Sequence, residues 1–246
     1  MHKTKTKPLI GVTLNWQENG DYSPYPYFVM REHYFQMVVK AGGVPVAIPF
    51  EPDVINQYID YMDGFIFPGG DFALDPTWYV SIQEKSPYLS SPRLEFEKAI
   101  ISKAMQNDKP FLGICAGMQI MAGLLGCKLT SDVMRFTGTH IDHRDAKPRH
   151  EVGHNVKIVT GTLLANIVES LEFGVNTSHR EGVVTVPAEV VISATATDGV
   201  IEAIEMKDKQ FAIGVQWHPE FFGNDNNPHF KLFQRLVEAA KEVKVR

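Results

Sequence analysis

The chain has little of what would commit it to a special environment. It holds two cysteines, Cys115 and Cys127, in 246 residues. Two cannot build a disulfide framework, and so few thiols fit a reducing cytoplasm. No apolar run reaches the length of a membrane span, so no membrane association is expected. Lys3, Lys5 and Lys7 precede only a brief apolar run, broken at Asn15, which does not make a signal peptide. Excess charge is small, at −5, and this excludes a general nucleic-acid surface. No Cys/His cluster has zinc spacing. His140, His143, His150 and His154 crowd one stretch but match no ligand pattern, so no metal is expected. Internal repeats, low-complexity tracts and interdomain linkers are absent. What remains is 44% apolar, enough for a sizeable core, and the length suits one domain spanning 1–246.

The most informative stretch is 110–126. Phe111 to Ile114 is a short apolar run after a proline, which suits a buried strand. Ala116 to Leu125 favours helix and ends at Gly126, a natural C-cap. Cys115 falls at the junction, among Gly113, Ala116 and Gly117. Small residues permit a tight strand-to-helix turn, the geometry of a nucleophile elbow with cysteine in place of serine. Dipoles at the helix start favour a thiolate. The Ala116 N–H points the same way and is placed to bind an oxyanion. This stretch alone is equally compatible with a buried structural cysteine.

A second stretch, 211–220, favours the catalytic reading. The run to Trp217 reads as a strand. His218 and Glu220 are two apart, so both face one site if the chain stays extended through Pro219. A histidine held by a carboxylate is the pair that activates a thiol. A lone His-Pro-Glu would be read as a surface turn, but beside the elbow a Cys115–His218–Glu220 triad is expected. Cys127, just past a helix end, reads as structural.

Along the chain, strands are expected over 8–14, 44–49 and 64–67, with helices over 27–41, from Asp53 to Met62, and over 92–107 with Ser91 as N-cap. The β-α alternation argues for a mostly parallel sheet with helices on both faces, whose ligands lie beyond the carboxyl ends of the strands. Gly69-Gly70 and Cys115 both fall there. Residues 71–91 read as a polar and aromatic insert flanking the site. Residues 127–154 read as irregular, 155–159 as a strand, and Thr162 as the cap of a helix to about Leu171. Val190–Thr197 and Val200–Met206 flank Asp198-Gly199 as an antiparallel hairpin with a primed turn. Asn227-Pro228 opens a final amphipathic helix to about Val243.

Gly113-Ile114-Cys115-Ala116-Gly117-Met118-Gln119 together with Gln216-Trp217-His218-Pro219-Glu220 resembles the class I glutamine amidotransferase-like superfamily, in its branch of γ-glutamyl-γ-aminobutyrate hydrolase-type γ-glutamyl hydrolases. The likeness runs through Lys7–Thr13, Ala41–Val46, Asp63-Gly64, Pro68–Asp71 and Asp198–Ala203. It implies a flavodoxin-like sheet with C-terminal antiparallel hairpin strands. It implies that Gly69 or Gly70 supplies a second oxyanion N–H, and that Gln119, one turn after Cys115, contacts a glutamyl head group. Val175–His179 matches a substrate-side loop of the pattern Asn-Ser-x-His-His-Gln, which offers Ser178 and His179 as substrate contacts. The chain departs from the branch at Ala116, where arginine is usual, and at Arg180-Glu181, which replace the loop's last two residues.

The activity implied is cysteine-dependent hydrolysis of a small γ-glutamyl amine through a γ-glutamyl thioester, without a cofactor. The implied partner is that small substrate alone, with a homodimer left open. A second reading is a glutaminase subunit that passes ammonia to a synthase, and a third is a non-catalytic binding protein on the same fold. The third is disfavoured because no triad residue is missing.

Overall fold

In the computed structural model, residues 7–144, 147–223 and 227–243 are described, and Lys3 and Lys5 lie outside them. Nine strands form one mixed sheet: β1 Leu9–Thr13, β2 Val44–Ile48, β3 Gly64–Phe67, β4 Phe111–Ile114, β5 His154–Ile158, β6 Glu172–Val175, β7 Val190–Ala196, β8 Ile201–Met206 and β9 Ala212–Val215. Their order is β2-β1-β3-β4-β9-β8-β7-β5-β6. Pairing is parallel from β2 through to β9. It is antiparallel from β9 to the β6 edge. The strands β3 and β4 are buried at every position, as continuous apolar runs must be when both sheet faces are covered.

The helices are α1 Glu32–Lys40, α2 Ile55–Tyr61, α3 Pro92–Gln106, α4 Ala116–Leu124, α5 Leu163–Val168 and α6 Pro228–Val243. One apolar cluster joins Tyr34, Met37 and Val38 of α1 to Leu164 of α5, Phe233 and Leu236 of α6, and the sheet. A second, on the opposite face, joins Ile55 and Ile59 of α2, Phe96 and Ile100 of α3, and Ile120 of α4. The expected flavodoxin-like layering is therefore present. Ser91 Oγ accepts from the Arg93 N–H at 3.2 Å and caps α3, and Thr162 Oγ1 accepts from the Ala165 N–H at 3.1 Å and caps α5. No helix among the described residues is long and apolar enough to cross a membrane.

Several local expectations are corrected. The helix expected from Tyr27 starts at Glu32, because Tyr27–Val29 instead pairs antiparallel with Asn15–Gln17 and Arg31 is extended at ψ 135°. Asp53 lies inside a 3₁₀ turn, Pro52–Val54, rather than capping α2. Within the stretch read as irregular, Lys128–Thr130 pairs with Gly182–Thr185, and Val133–Thr137 is a helical turn. Such pieces of three to five residues are too short to display a period. The Asp198-Gly199 hairpin forms, but only Gly199 has a positive φ, at 88°, so the turn is not the doubly left-handed type I′.

Register is what assembles the site. In β3, Phe67 pairs with Gly113 of β4, and Val215 of β9 pairs with Ile114. The chain therefore leaves three adjacent parallel strands at one edge, bringing Pro68-Gly69-Gly70, Cys115 and His218 together.

His229 sets a pH limit on this packing. Its ring stacks on Phe222 at 4.1 Å and meets Phe173 edge-on at 5.2 Å. Burial drives its pKa down to about 4, against a smaller opposing contact with the Gly174 backbone. A depressed histidine pKa favours the native state above the unfolded value near 6.5, and that stability is lost as pH falls toward 4. Urea unfolding should therefore lose on the order of 3 kcal/mol across this window through His229 alone. In His229→Phe that component of the pH slope should vanish, and an unchanged slope would contradict the assignment.

Candidate active site

Cys115 stands at the N-cap of α4 with φ 50° and ψ −105°. A non-glycine residue there stores roughly 1–3 kcal/mol of strain. The surroundings enforce it. The Cys115 N–H donates to Val215 O at 2.8 Å, and its carbonyl accepts from the Gln119 N–H at 3.0 Å. A Cβ on Gly117 would lie 2.0 Å from Phe67 O, and one on Gly113 would lie 2.9 Å from the Gly117 backbone. The expected tight elbow is thus built by backbone-to-backbone contact that tolerates no side chain.

His218 is buried, with Nδ1 2.8 Å from Glu220 Oε1, and it is in hydrogen-bond contact with Cys115. Burial opposes a charged ring, but Glu220 and Cys115 outweigh it and push the pKa up to about 10. The ring is therefore an imidazolium at neutral pH. The chain does not stay extended through Pro219, as the sequence suggested. Pro219–Phe221 is a 3₁₀ turn that curls Glu220 back onto the ring. Asn176 holds the His218 backbone at both ends: Oδ1 accepts from the N–H at 2.8 Å, and Nδ2 donates to the carbonyl at 2.9 Å.

The glycine turn touches both Cys115 and His218. A Cβ on Gly69 would sit 2.6 Å from His218 Cε1 and 3.3 Å from Cys115 Cβ. Arg93, fully buried and 3.0 Å from Glu97, donates to the carbonyls of Pro68 and Gly69, the latter at 2.9 Å. The Gly69 N–H is engaged by Tyr34 Oη at 3.2 Å. The Gly70 and Ala116 N–H groups find no acceptor within the protein among the described residues. Of the two glycines expected as oxyanion donors, Gly70 is therefore the one with a free N–H.

The cleft beside Cys115 has about 200 Å³ of open space and is lined by Asp71, Tyr88, Gln119, Ser178, Arg180 and Glu181 among others. Ser178 also lines the His218 side. A larger cleft of about 820 Å³ lies past Arg180 and does not include Cys115. Gln119 Nε2 is committed internally, donating to Glu181 O at 2.9 Å and Gln216 Oε1 at 3.1 Å. His179 touches the cleft, but its ring nitrogens meet His143 Nδ1 at 3.2 Å and Glu181 O at 3.0 Å. It is turned into the protein rather than toward a ligand. Burial pushes Glu181 up to about 7, although hydrogen bonds from Tyr79 and Ser86 pull the other way.

Tyr34 and Arg93 come from distant segments and carry no local motif, whereas Asp71 and Tyr88 belong to the glycine turn and to the insert expected beside the site. Asn176 lay within the recognised loop, which was the available signal.

A sequence profile of the peptidase C26 family matches residues 8–220. The chain belongs to the peptidase C26 family. It is 32% identical to a glutamine amidotransferase-like protein of Rickettsia prowazekii, over 97% of this chain and 100% of that one. It is 26% identical to the γ-glutamyl-γ-aminobutyrate hydrolase of Escherichia coli strain K12, over 98% of this chain and 96% of the relative. The glutaminase domain of Trypanosoma brucei CTPS, solved with bound acivicin, shares the fold at a TM-score of 0.64 and 17% identity, over 96% of this chain and 94% of that one. Family membership makes the protein a hydrolase/amidotransferase-type enzyme of the class I glutamine amidotransferase-like group.

Cys127 is 1% exposed, and burial pushes its thiol up to about 11. Limiting iodoacetamide followed by peptide mapping should therefore label Cys115 first. Earlier labelling of Cys127 would remove the nucleophile assignment.

Proposed function

We propose that the protein hydrolyses the γ-glutamyl amide bond of a small γ-glutamyl amine through a γ-glutamyl thioester on Cys115. The observation that carries this reading is the strained Cys115 elbow in contact with His218, itself 2.8 Å from Glu220. His218 takes the proton of the Cys115 thiol. The sulfur attacks the amide carbon, and the oxyanion is received by the N–H groups of Ala116 and Gly70, with Gly69 behind them. One such donor contributes roughly 100- to 1000-fold in rate. His218 passes its proton to the departing nitrogen, and the C–N bond breaks. Water then attacks the thioester carbon while His218 takes its proton, releasing glutamate and the Cys115 thiolate. Glu220 holds the ring and balances its charge throughout. No cofactor takes part in these steps.

The cleft supports a γ-glutamyl head group. It offers Arg180 for an α-carboxylate and Asp71 and Glu181 for an α-ammonium. Ser178 is placed to donate beside them, and Gln119 retains its side-chain carbonyl as an acceptor. The departures from the branch pattern, Arg180 and Glu181, fall on this surface, so head-group binding here is ionic where relatives carry histidine and glutamine.

Steady-state kinetics test the reading. The isolated protein should turn over at least one γ-glutamyl amine at on the order of 1–100 per second. Free glutamine should be the poorer substrate, because a larger leaving group adds binding energy usable in the transition state. Activity confined to glutamine, and only after cell extract is added, would transfer the protein to the synthase-coupled glutaminases.

Glu181 adds a pH signature. Its carboxyl ionises near pH 7, and only the ionised form attracts an ammonium. KM should fall several-fold as pH rises through 7. Glu181→Gln should flatten that dependence while leaving the pH profile of kcat in place. A wild-type KM profile retained in the variant would separate Glu181 from substrate binding.

A further inference from the structure

Behind the substrate-side loop lies a second cluster that the hydrolytic chemistry does not use. His143, His154, His179 and Glu202 are each at most 8% exposed. They come from four separate segments: an irregular stretch, the start of β5, the loop after β6, and β8. One oxygen is their common neighbour. Glu202 Oε1 lies 3.4 Å from His143 Nδ1, 3.3 Å from His154 Nε2 and 3.5 Å from His179 Nε2. His143 Nδ1 is also 3.2 Å from His179 Nε2. The ligand atoms of His143, His154 and Glu202 all lie within 4.8 Å of one another.

The outer nitrogens decide what the inner ones can be. His143 Nε2 is 2.9 Å from Asp198 Oδ2, His154 Nδ1 is 3.2 Å from Asn155 O, and His179 Nδ1 is 3.0 Å from Glu181 O. Each outer partner is an oxygen that only accepts, so each outer nitrogen carries the N–H. In a neutral imidazole the inner nitrogen is then a bare lone pair. Three lone pairs and a carboxylate oxygen therefore converge in a buried space. Glu202 Oε1, Glu202 Oε2 and His154 Nε2 have no hydrogen-bond partner among the described residues. Leaving acceptors face to face without a donor or cation is costly.

We propose that this cluster is a divalent transition-metal site, suited to zinc, with His143, His154 and Glu202 as ligands and His179 as the adjoining fourth donor. Around zinc with bonds of about 2.1 Å, tetrahedral ligands stand about 3.4 Å apart, which is the spacing seen around Glu202 Oε1. Imidazole nitrogen with one carboxylate oxygen is a donor set for zinc rather than for magnesium or calcium. Asp198 and the two carbonyls form the outer hydrogen bonds that orient metal-bound histidines. The rival occupant is a proton. It would require a doubly protonated imidazole, and the contacts to Glu202 exceed the roughly 2.7–2.9 Å of charge-assisted hydrogen bonds. Bound metal would tie the loop carrying Ser178 and Glu181, and the stretch carrying His143, to the sheet. It would take no part in the thioester chemistry.

Removing the Cys115 thiol keeps the test from reading metal bound at that sulfur. Cys115→Ala protein, freed of any histidine tag, is purified, and its metal content is measured by mass spectrometry. After stripping with a chelator it is titrated with cobalt(II) chloride and followed by visible absorption. The expected result is one equivalent of zinc as purified, and one equivalent of cobalt with the intense visible bands of four-coordinate Co²⁺. Thermal unfolding should rise on adding zinc. Asp198→Asn, which leaves every inner donor in place and weakens the outer hydrogen bond to His143, should weaken cobalt binding roughly 10- to 100-fold. Glu202→Gln, checked for folding by circular dichroism, should lose it. Metal-free Cys115→Ala protein that gives no cobalt bands and no thermal shift would overturn the site and leave a proton-held network. Bands seen only when Cys115 is present would place the metal on the nucleophile and overturn it equally.

Discussion

A close approach between two backbones governs this enzyme. Gly117, in the first turn of α4, lies so near the Phe67 carbonyl at the end of β3 that a Cβ would come within 2.0 Å of it. The helix can enter at that distance only if the preceding residue turns sharply, and Cys115 does so at φ 50°. Its strain is held by the packed β3–β4–β9 edge, through the bond from the Cys115 N–H to Val215 O. Loosening that edge would relax the elbow and withdraw the sulfur from His218.

A layer of buried polar residues behind Cys115 and His218 keeps this geometry. Arg93 draws the Pro68 and Gly69 carbonyls toward itself, which leaves the Gly70 N–H without an internal acceptor. Its charge is balanced by Glu97, whose carboxylate also accepts from Thr13. Tyr34 occupies the Gly69 N–H, and burial together with the nearby Glu220 carboxylate raises its own pKa, so it stays a neutral phenol. Asn176 fixes the His218 main chain from the opposite side of the cleft. Buried donors and acceptors such as these are costly if unpaired, and this makes the site rigid.

The substrate-side loop is held differently. Gln119 grips the Glu181 carbonyl from α4, and His179 turns inward to the His143–Glu202 cluster. Ser178, Arg180 and the buried Glu181 line the cleft beside Cys115 together with Gln119 and His179.

The layered α/β class, the elbow around Cys115, the His218–Glu220 pairing and the glycine turn are legible along the linear chain. Each is a local signal: buried runs with period, small residues at a tight junction, and two polar side chains two positions apart. Cys127 is legible there too as the structural thiol. That Tyr27–Val29 is a strand emerges in three dimensions, since its pairing with Asn15–Gln17 satisfies a backbone that propensity alone would coil into α1. Packing alone settles that Gly70 rather than Gly69 has the free N–H, that Glu220 reaches His218 by a 3₁₀ turn, and that His179 faces inward. It alone gathered His143, His154 and Glu202, whose spacing in the chain matches no ligand motif. These outcomes depend on contacts between segments far apart in sequence, and such contacts leave no period or spacing for a linear reading to detect.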